Sequence, residues 1–281
     1  MLTALLIMLR EGFEAALVVA IVYAYIRRID RPELTVPMWR GVAAAAALSV
    51  GVGIVVHLTV ESLDGNARLL AFAAVSMLAV VVLTWMIFWM RSQAHRIKGE
   101  LQGNVDQAIA AGGDVRLAVM TVAFLAVARE GLEAALFLIA AATTEDGWAV
   151  LAGGLLGLAG ASVLGFLVVL GGRRLPMRQF FTVTGLVLIV FAAGLVSRTI
   201  LWLQATGDLG TVWNNVYDLT AYPWLTVNTE TGKFLGAMFG WDPRPSIEQI
   251  VGYLLYLGTV SWLFLRAPKA ARERQKVARA A

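Results

Sequence analysis

Hydrophobic residues in this chain run in long, nearly unbroken blocks. They show neither the alternation of a half-buried strand nor the narrow apolar stripe of a soluble helix. Seven blocks stand out, at 2–26, 40–60, 68–90, 117–142, 148–170, 180–204 and 247–265. A helix rises about 1.5 Å per residue, so roughly 20 apolar residues cross a ~30 Å hydrocarbon core. Within lipid each segment has to satisfy its own backbone hydrogen bonds, which makes these blocks helices. The pattern predicts an all-α, polytopic membrane protein of seven transmembrane helices. Residues 1–266 form one domain with no room for a separate soluble unit, and 267–281 are a basic tail.

Composition agrees, with 59% hydrophobic and 15% charged residues and a mean hydropathy of +0.74. The apolar run before Arg10 is short, has no basic flank and meets no small-residue cleavage site, so it reads as a retained first span. Positive charge decides orientation. Arg27, Arg28, Arg31 and Arg40 follow the first block; Arg91, Arg96, Lys98 and Arg116 follow the third; Arg173, Arg174 and Arg178 follow the fifth. The alternate connections, "ESLDGNAR" and "TTEDGW", are acidic or nearly neutral. The N-terminus is therefore expected outside and the basic C-terminal tail in the cytoplasm, where it meets anionic lipid. That placement accounts for the sequence pI near 9.6 without a nucleic-acid partner. The absence of cysteine excludes disulfides and thiolate metal ligation.

Within this apolar background one charged pentad occurs twice, as "REGFE" at 10–14 and "REGLE" at 129–133. The copies fall in the first and fourth blocks. The second and fifth blocks, "GVAAAAALSVGVG" and "LAGGLLGLAGASVLG", share a dominance of small residues that allow close helix approach. The first six blocks thus read as two copies of a three-helix unit. Three being odd, the second copy enters from the opposite side, giving a 3+3 inverted-topology repeat plus one extra C-terminal helix. Two connections are longer: a polar inner one at 91–116, and an aromatic-rich outer one at 205–246 that carries Asp208, Asp218, Glu230 and Asp242. The outer segment reads either as a cation-gathering or partner-docking loop, or as a folded cap over the helices.

A charge at the bilayer centre costs about 2.5–3.5 kcal/mol on insertion scales, so the six pentad charges have to face the bundle interior and pair. Arg10 with Glu14, and Arg129 with Glu133, are four apart and meet on one helix face. As simple bridges these pairs leave Glu11 and Glu130 without a partner. If the two helices cross, four carboxylates and two guanidiniums meet near mid-depth with a formal charge of −2. Gly12 and Gly131 open space for a facing helix. Glu11, Glu14, Glu130 and Glu133 then form an all-oxygen cation site with Arg10 and Arg129 as charge partners. Oxygen ligands suit hard ions such as ferric iron, manganese, magnesium and calcium.

At this point the chain resembles the oxidase-dependent iron transporters, which include EfeU-type bacterial iron permeases and fungal high-affinity ferric permeases. The two R-E-G-[FL]-E motifs carry the resemblance, with "LTWMIFWM" closing the third block and "GWDPRPSIEQIVGYLLYL" leading into the seventh. The resemblance implies a bacterial inner-membrane permease that imports iron, ferric ion from a partner oxidase, through the four glutamates. It implies iron-oxidising or iron-delivering partners outside and no tightly bound cofactor, and leaves oligomerisation open. The outer segment departs from the family: it has no acidic D-A-S-E-like cluster, and Asn214 and Asn215 stand where many relatives have an aspartate. Some relatives handle lead, so lead or manganese is the alternative cargo.

Other residues carry weaker signals. Arg198, inside the sixth block, either balances the carboxylates and closes a gate or bonds to backbone carbonyls. His57, one turn before Glu61, is a secondary ligand candidate, whereas His95 reads as surface. Met86 and Met90 with Trp85 and Trp89 read as packing and an interfacial aromatic belt. Enzyme devices such as H-E-x-x-H and G-x-S-x-G do not occur, nor does a phosphate-binding loop. The seventh block has no lysine for a retinal Schiff base. The remaining rival class is a non-transporting scaffold in which the pentads are structural bridges.

Overall fold

The computed structural model describes residues 1–93, 114–143, 145–169, 177–226 and 229–266. Each of the seven apolar blocks is a helix there. They are α1 (Leu2–Arg28), α2 (Thr35–Glu61), α3 (Gly65–Gln93), α4 (Val115–Ala142), α5 (Gly147–Val169), α6 (Met177–Thr206) and, after a short α7 (Glu230–Phe239), α8 (Ile247–Leu265). Among the described residues there is no strand. Five stretches are long and apolar enough to cross a membrane: Pro32–Glu61, Gly65–Trp89, Gly147–Leu167, Thr182–Thr206 and Ile247–Leu265. The two helices outside that set, α1 and α4, are as long, at 27 and 28 residues, but each carries a pentad in its middle.

Helix ends follow their sequences. Asp114 caps α4 by accepting the Arg116 amide at 3.0 Å. Ser246 and Gln249 form a reciprocal capping box at the start of α8. Gly240 ends α7 in the left-handed conformation, at φ 64°, and its Cα lies against the backbone of Gly194 in α6, where no side chain fits between them.

Packing is reciprocal. The helix α1 lies along α5, α2 lies along α4, α3 packs on α6, and α1 crosses α4 in the centre. Small residues make the long contacts. A Cβ on Gly41 of α2 would strike the Met120 carbonyl of α4, and one on Gly153 or Gly157 of α5 would strike the backbone of α1 at Met1 and Leu5. The main core joins Ile7, Leu83, Met86, Phe137, Phe191 and Phe264 from α1, α3, α4, α6 and α8. Val22, Ile26, Met38, Val119 and Ala123 close the opposite end. Large apolar side chains such as Val55, Leu58, Leu155, Phe166 and Leu255 point outward, as lipid-facing surfaces do.

The segment after α6 is a folded cap, the second of the two readings of 205–246. Val216 and Leu219 donate to the Pro245 and Pro243 carbonyls at 3.0 Å, and the Trp241 indole donates to the Leu225 carbonyl at 3.1 Å. Tyr217 stacks on Trp241 with centroids 5.9 Å apart, and burial beside Asp242 pushes its phenol up. Thr3 of α1 reaches Met238 of α7, which sets the cap over the N-terminal end of α1. Residues 94–113 and the tail at 267–281 lie outside the described residues, and with them His95, Arg96 and Lys98. Arg173 and Arg174 also lie outside, as do the side chains of Arg91, Arg178, Met90 and Glu230.

Candidate metal centre

The crossing of α1 and α4 brings both pentads into the middle of the bundle. Arg10, Glu11, Glu14, Glu130 and Glu133 are all buried, at 2, 1, 8, 8 and 8% exposure. Glu11, Glu14 and Glu130 each offer a carboxylate oxygen within 4.8 Å of the others, two from α1 and one from α4. Carboxylates stay this close in a dry interior only with a guanidinium or a metal among them or with a proton on one of them.

The guanidiniums divide the work unequally. Arg10 Nη1 donates to Glu11 Oε1 at 2.5 Å, and its Nη2 stands 3.2 Å from Glu14 Oε1. The four-residue spacing predicts the Glu14 pair, yet the neighbouring Glu11 is the nearer partner. A long arginine side chain turns back over its own backbone as readily as it spans one turn. On α4, Arg129 Nε donates to Glu133 Oε1 at 3.0 Å and lies 4.0 Å from Glu130. Glu133 therefore stays with its arginine, outside the trio. Glu11 Oε2 and Glu133 Oε2 are buried without a hydrogen-bond partner among the described residues, and Glu14 Oε1 has its ion pair with Arg10 but no hydrogen bond. Orphaned carboxylate oxygens in such a place are what a cation would satisfy.

Helix α3 reaches the site with residues read from the sequence as packing and belt, and Met86 does lie in the main core. Met86, 1% exposed, sets its sulfur 3.0 Å from Arg10 Nη1. Trp85 and Trp89 stack on each other at 5.9 Å, and the Arg129 guanidinium lies 3.9 Å from the Trp89 ring centre and 5.3 Å from that of Trp85. Positions 85, 86 and 89 share one face of the helix, which is the signal that could have linked them to the site. The pentad glycines each meet a small partner: Gly12 faces Ala161 and Leu158 of α5, and Gly131 faces Ser49 of α2.

The two secondary candidates lie apart from this cluster. The Arg198 guanidinium donates to the Trp241 carbonyl at 3.1 Å, nests against Gly236 and has Asp242 as its acidic neighbour. Its role is to fasten the cap to α6. His57 sits half-exposed at the end of α2, 3.6 Å from Glu61.

Carboxylates gathered with their counter-charges in the core of helices this apolar suit a membrane protein that handles ions. Comparison with known proteins narrows the class, because the chain matches the iron permease FTR1 family over residues 1–275 and belongs to it. It is 38% identical over 270 residues to the ferrous iron permease EfeU of Escherichia coli O6:K15:H31 (strain 536 / UPEC), covering 94% of this chain and 95% of that protein. It is 34% identical over 269 residues to the ferrous iron permease EfeU of Yersinia pestis, covering 94% and 93%. No solved structure matches it. The protein is thus an iron permease of the FTR1 family and a multi-pass membrane protein.

Proposed function

We propose that this permease imports iron through a single intramembrane site built from Glu11, Glu14, Glu130 and Glu133. The carrying observation is the meeting of Glu11 and Glu14 from one helix with Glu130 from another, buried and within 4.8 Å. In the metal-free site Arg10 and Arg129 hold the carboxylates in ionised pairs. An arriving cation takes over the orphaned oxygens and draws Glu133 in as the fourth ligand. Separating α1 from α4 then opens the site to one side or the other.

All seven long helices span the bilayer in this reading, with the cap outside and the C-terminus in the cytoplasm. The reciprocal packing of α1 on α5 and α4 on α2 supports a 3+3 inverted repeat, because a two-fold that exchanges α1 with α4 exchanges α2 with α5. α3 then pairs with its own counterpart α6, and α8 stands outside the repeat. Energy comes from a gradient or from a partner that delivers iron at the cap.

The relatives' names point to ferrous iron as the species presented. The all-oxygen donor set favours ferric ion from an oxidase as the second reading. Radio-iron uptake into cells lacking other iron importers tests both, with ascorbate to keep iron ferrous and with an oxidant to make it ferric. Glu11→Ala and Glu130→Ala should each abolish uptake at unchanged protein level. Normal uptake by both variants removes the carboxylate site. Uptake of lead or manganese but not iron keeps the site and changes the cargo.

A further inference from the structure

The two arginines of the site are chemically alike but seated differently. Arg10 is 2% exposed and enclosed by Glu11, Glu14 and Met86. The Arg129 side chain is one-third exposed, donates from Nε to Glu133, and sets its guanidinium carbon 3.9 Å from the Trp89 ring centre in a stacked tryptophan pair. We propose that Trp89, backed by Trp85, is a positioning residue. It provides Arg129 with a second seat, so that the guanidinium can release Glu133 to incoming iron without leaving the protein.

The need for such a seat follows from charge. Once a di- or trivalent ion sits among Glu11, Glu14 and Glu130, a guanidinium within a few ångströms is repelled, and Glu133 is more strongly attracted to the metal than to Arg129. A cation expelled into hydrocarbon would have no counter-charge there. A tryptophan face stabilises a cation without itself carrying charge, and its attraction grows when water is excluded. It can therefore hold Arg129 equally well with metal present or absent. An acidic seat would instead compete with the site for iron. The geometry is already in place, since Arg129 needs only to rotate off Glu133 while staying over Trp89.

This inference rests on the four-glutamate reading, and equilibrium binding of radioactive ferrous iron to the purified chain in detergent, under reductant, separates the two. Native protein and the variants Trp89→Leu, Trp89→Phe, Arg129→Ala and Arg129→Ala/Trp89→Leu are compared, each first shown monodisperse with a native-like melting temperature. Removing the nearer π face leaves Arg129 with Glu133, the more distant Trp85 ring and Glu130, so Trp89→Leu should weaken iron binding by about 2- to 30-fold, the range a cation–π contact spans. Trp89→Phe, which is also smaller than tryptophan but keeps a π face, should stay within about 3-fold of native. In the Arg129→Ala background the Trp89→Leu change should have no effect, because the residue acts only through the arginine. Equal weakening by leucine and phenylalanine, or by leucine with and without Arg129, makes Trp89 a packing residue and overturns the inference. Should Arg129→Ala not fold, the leucine and phenylalanine comparison decides alone. If the native chain and Glu130→Ala bind iron equally, the metal-site reading falls first and the seat with it.

Discussion

Gly131 offers the sharpest test of how the metal centre is held, because it sits beside Glu130 where α4 presses on α2. A Cβ placed there lies 2.9 Å from the Cβ of Ser49 and nearer still to its hydroxyl, which is buried and donates to the Ala45 carbonyl at 2.9 Å. Rotating the serine moves its oxygen but not its Cβ, which is fixed to the backbone. Relief requires α2 and α4 to separate by about 0.5–1 Å, the distance to an ordinary carbon–carbon contact of roughly 3.5–4.0 Å. Overpacking of this kind costs about 1–3 kcal/mol. Gly131→Ala should therefore lower the melting temperature of the purified protein by roughly 2–12 °C, and lower iron affinity too, since Glu130 rides on the displaced helix. Ser49→Gly removes the obstructing carbon. Alone it should be mildly destabilising, by about 0.5–1 kcal/mol, yet it should restore part of the loss in the Gly131→Ala chain. A native-like Gly131→Ala protein, or two effects that simply add, would refute the close packing of α4 on α2.

Two further outcomes concern the cap. Arg198→Met removes the donor to the Trp241 carbonyl, worth about 1.5–3 kcal/mol as a charge-assisted bond. Limited proteolysis of residues 207–246 should quicken, while iron affinity stays native because Arg198 lies outside the carboxylate cluster. Asp218 accepts the Thr220 hydroxyl at 2.6 Å and its amide at 2.9 Å, and these bonds hold its carboxyl below the ordinary aspartate value. A depressed folded-state value contributes stability above the unfolded value of about 3.9, and loses it as pH falls through the folded one. Thr220→Val should therefore raise the Asp218 titration midpoint in carboxyl NMR, and any stability difference from native should vanish once pH falls below the folded-state value.

The helices were legible because block length and apolar content leave a segment in lipid no other structure. The seven predicted stretches match helices whose ends differ by a few residues, as at Thr35 against the expected 40, and residue 170 of the fifth lies outside the described residues. That the two pentads would gather in one place was legible because buried charge demands company, although the ion pairs the structure shows lie within each copy. Three things were not. Spacing along one helix gave Glu14 to Arg10, but which carboxylate an arginine favours depends on rotamers and on what packs above it. Met86, Trp85 and Trp89 looked like ordinary core and belt, since nothing in a single helix says that arginines from two others will arrive on that face. Residues 205–246 looked equally like a loop, because their order comes from bonds such as Trp241 to Leu225 that join positions far apart in sequence.

The pairing of Arg10 with both of its own glutamates also matters during synthesis. Helix α1 reaches the bilayer before α4, which carries the other half of the centre, has been translated. Its arginine nevertheless pairs with both glutamates along a single helix, at 2.5 and 3.2 Å, so that a net charge of −1 remains before any later segment arrives. A bridge spanning α1 and α4 would have left a lone first helix with three uncompensated charges and a strong tendency to be rejected by the insertion machinery. The local bridge lets each half of the proposed iron site be delivered to the membrane separately, and the site itself appears only when the halves dock.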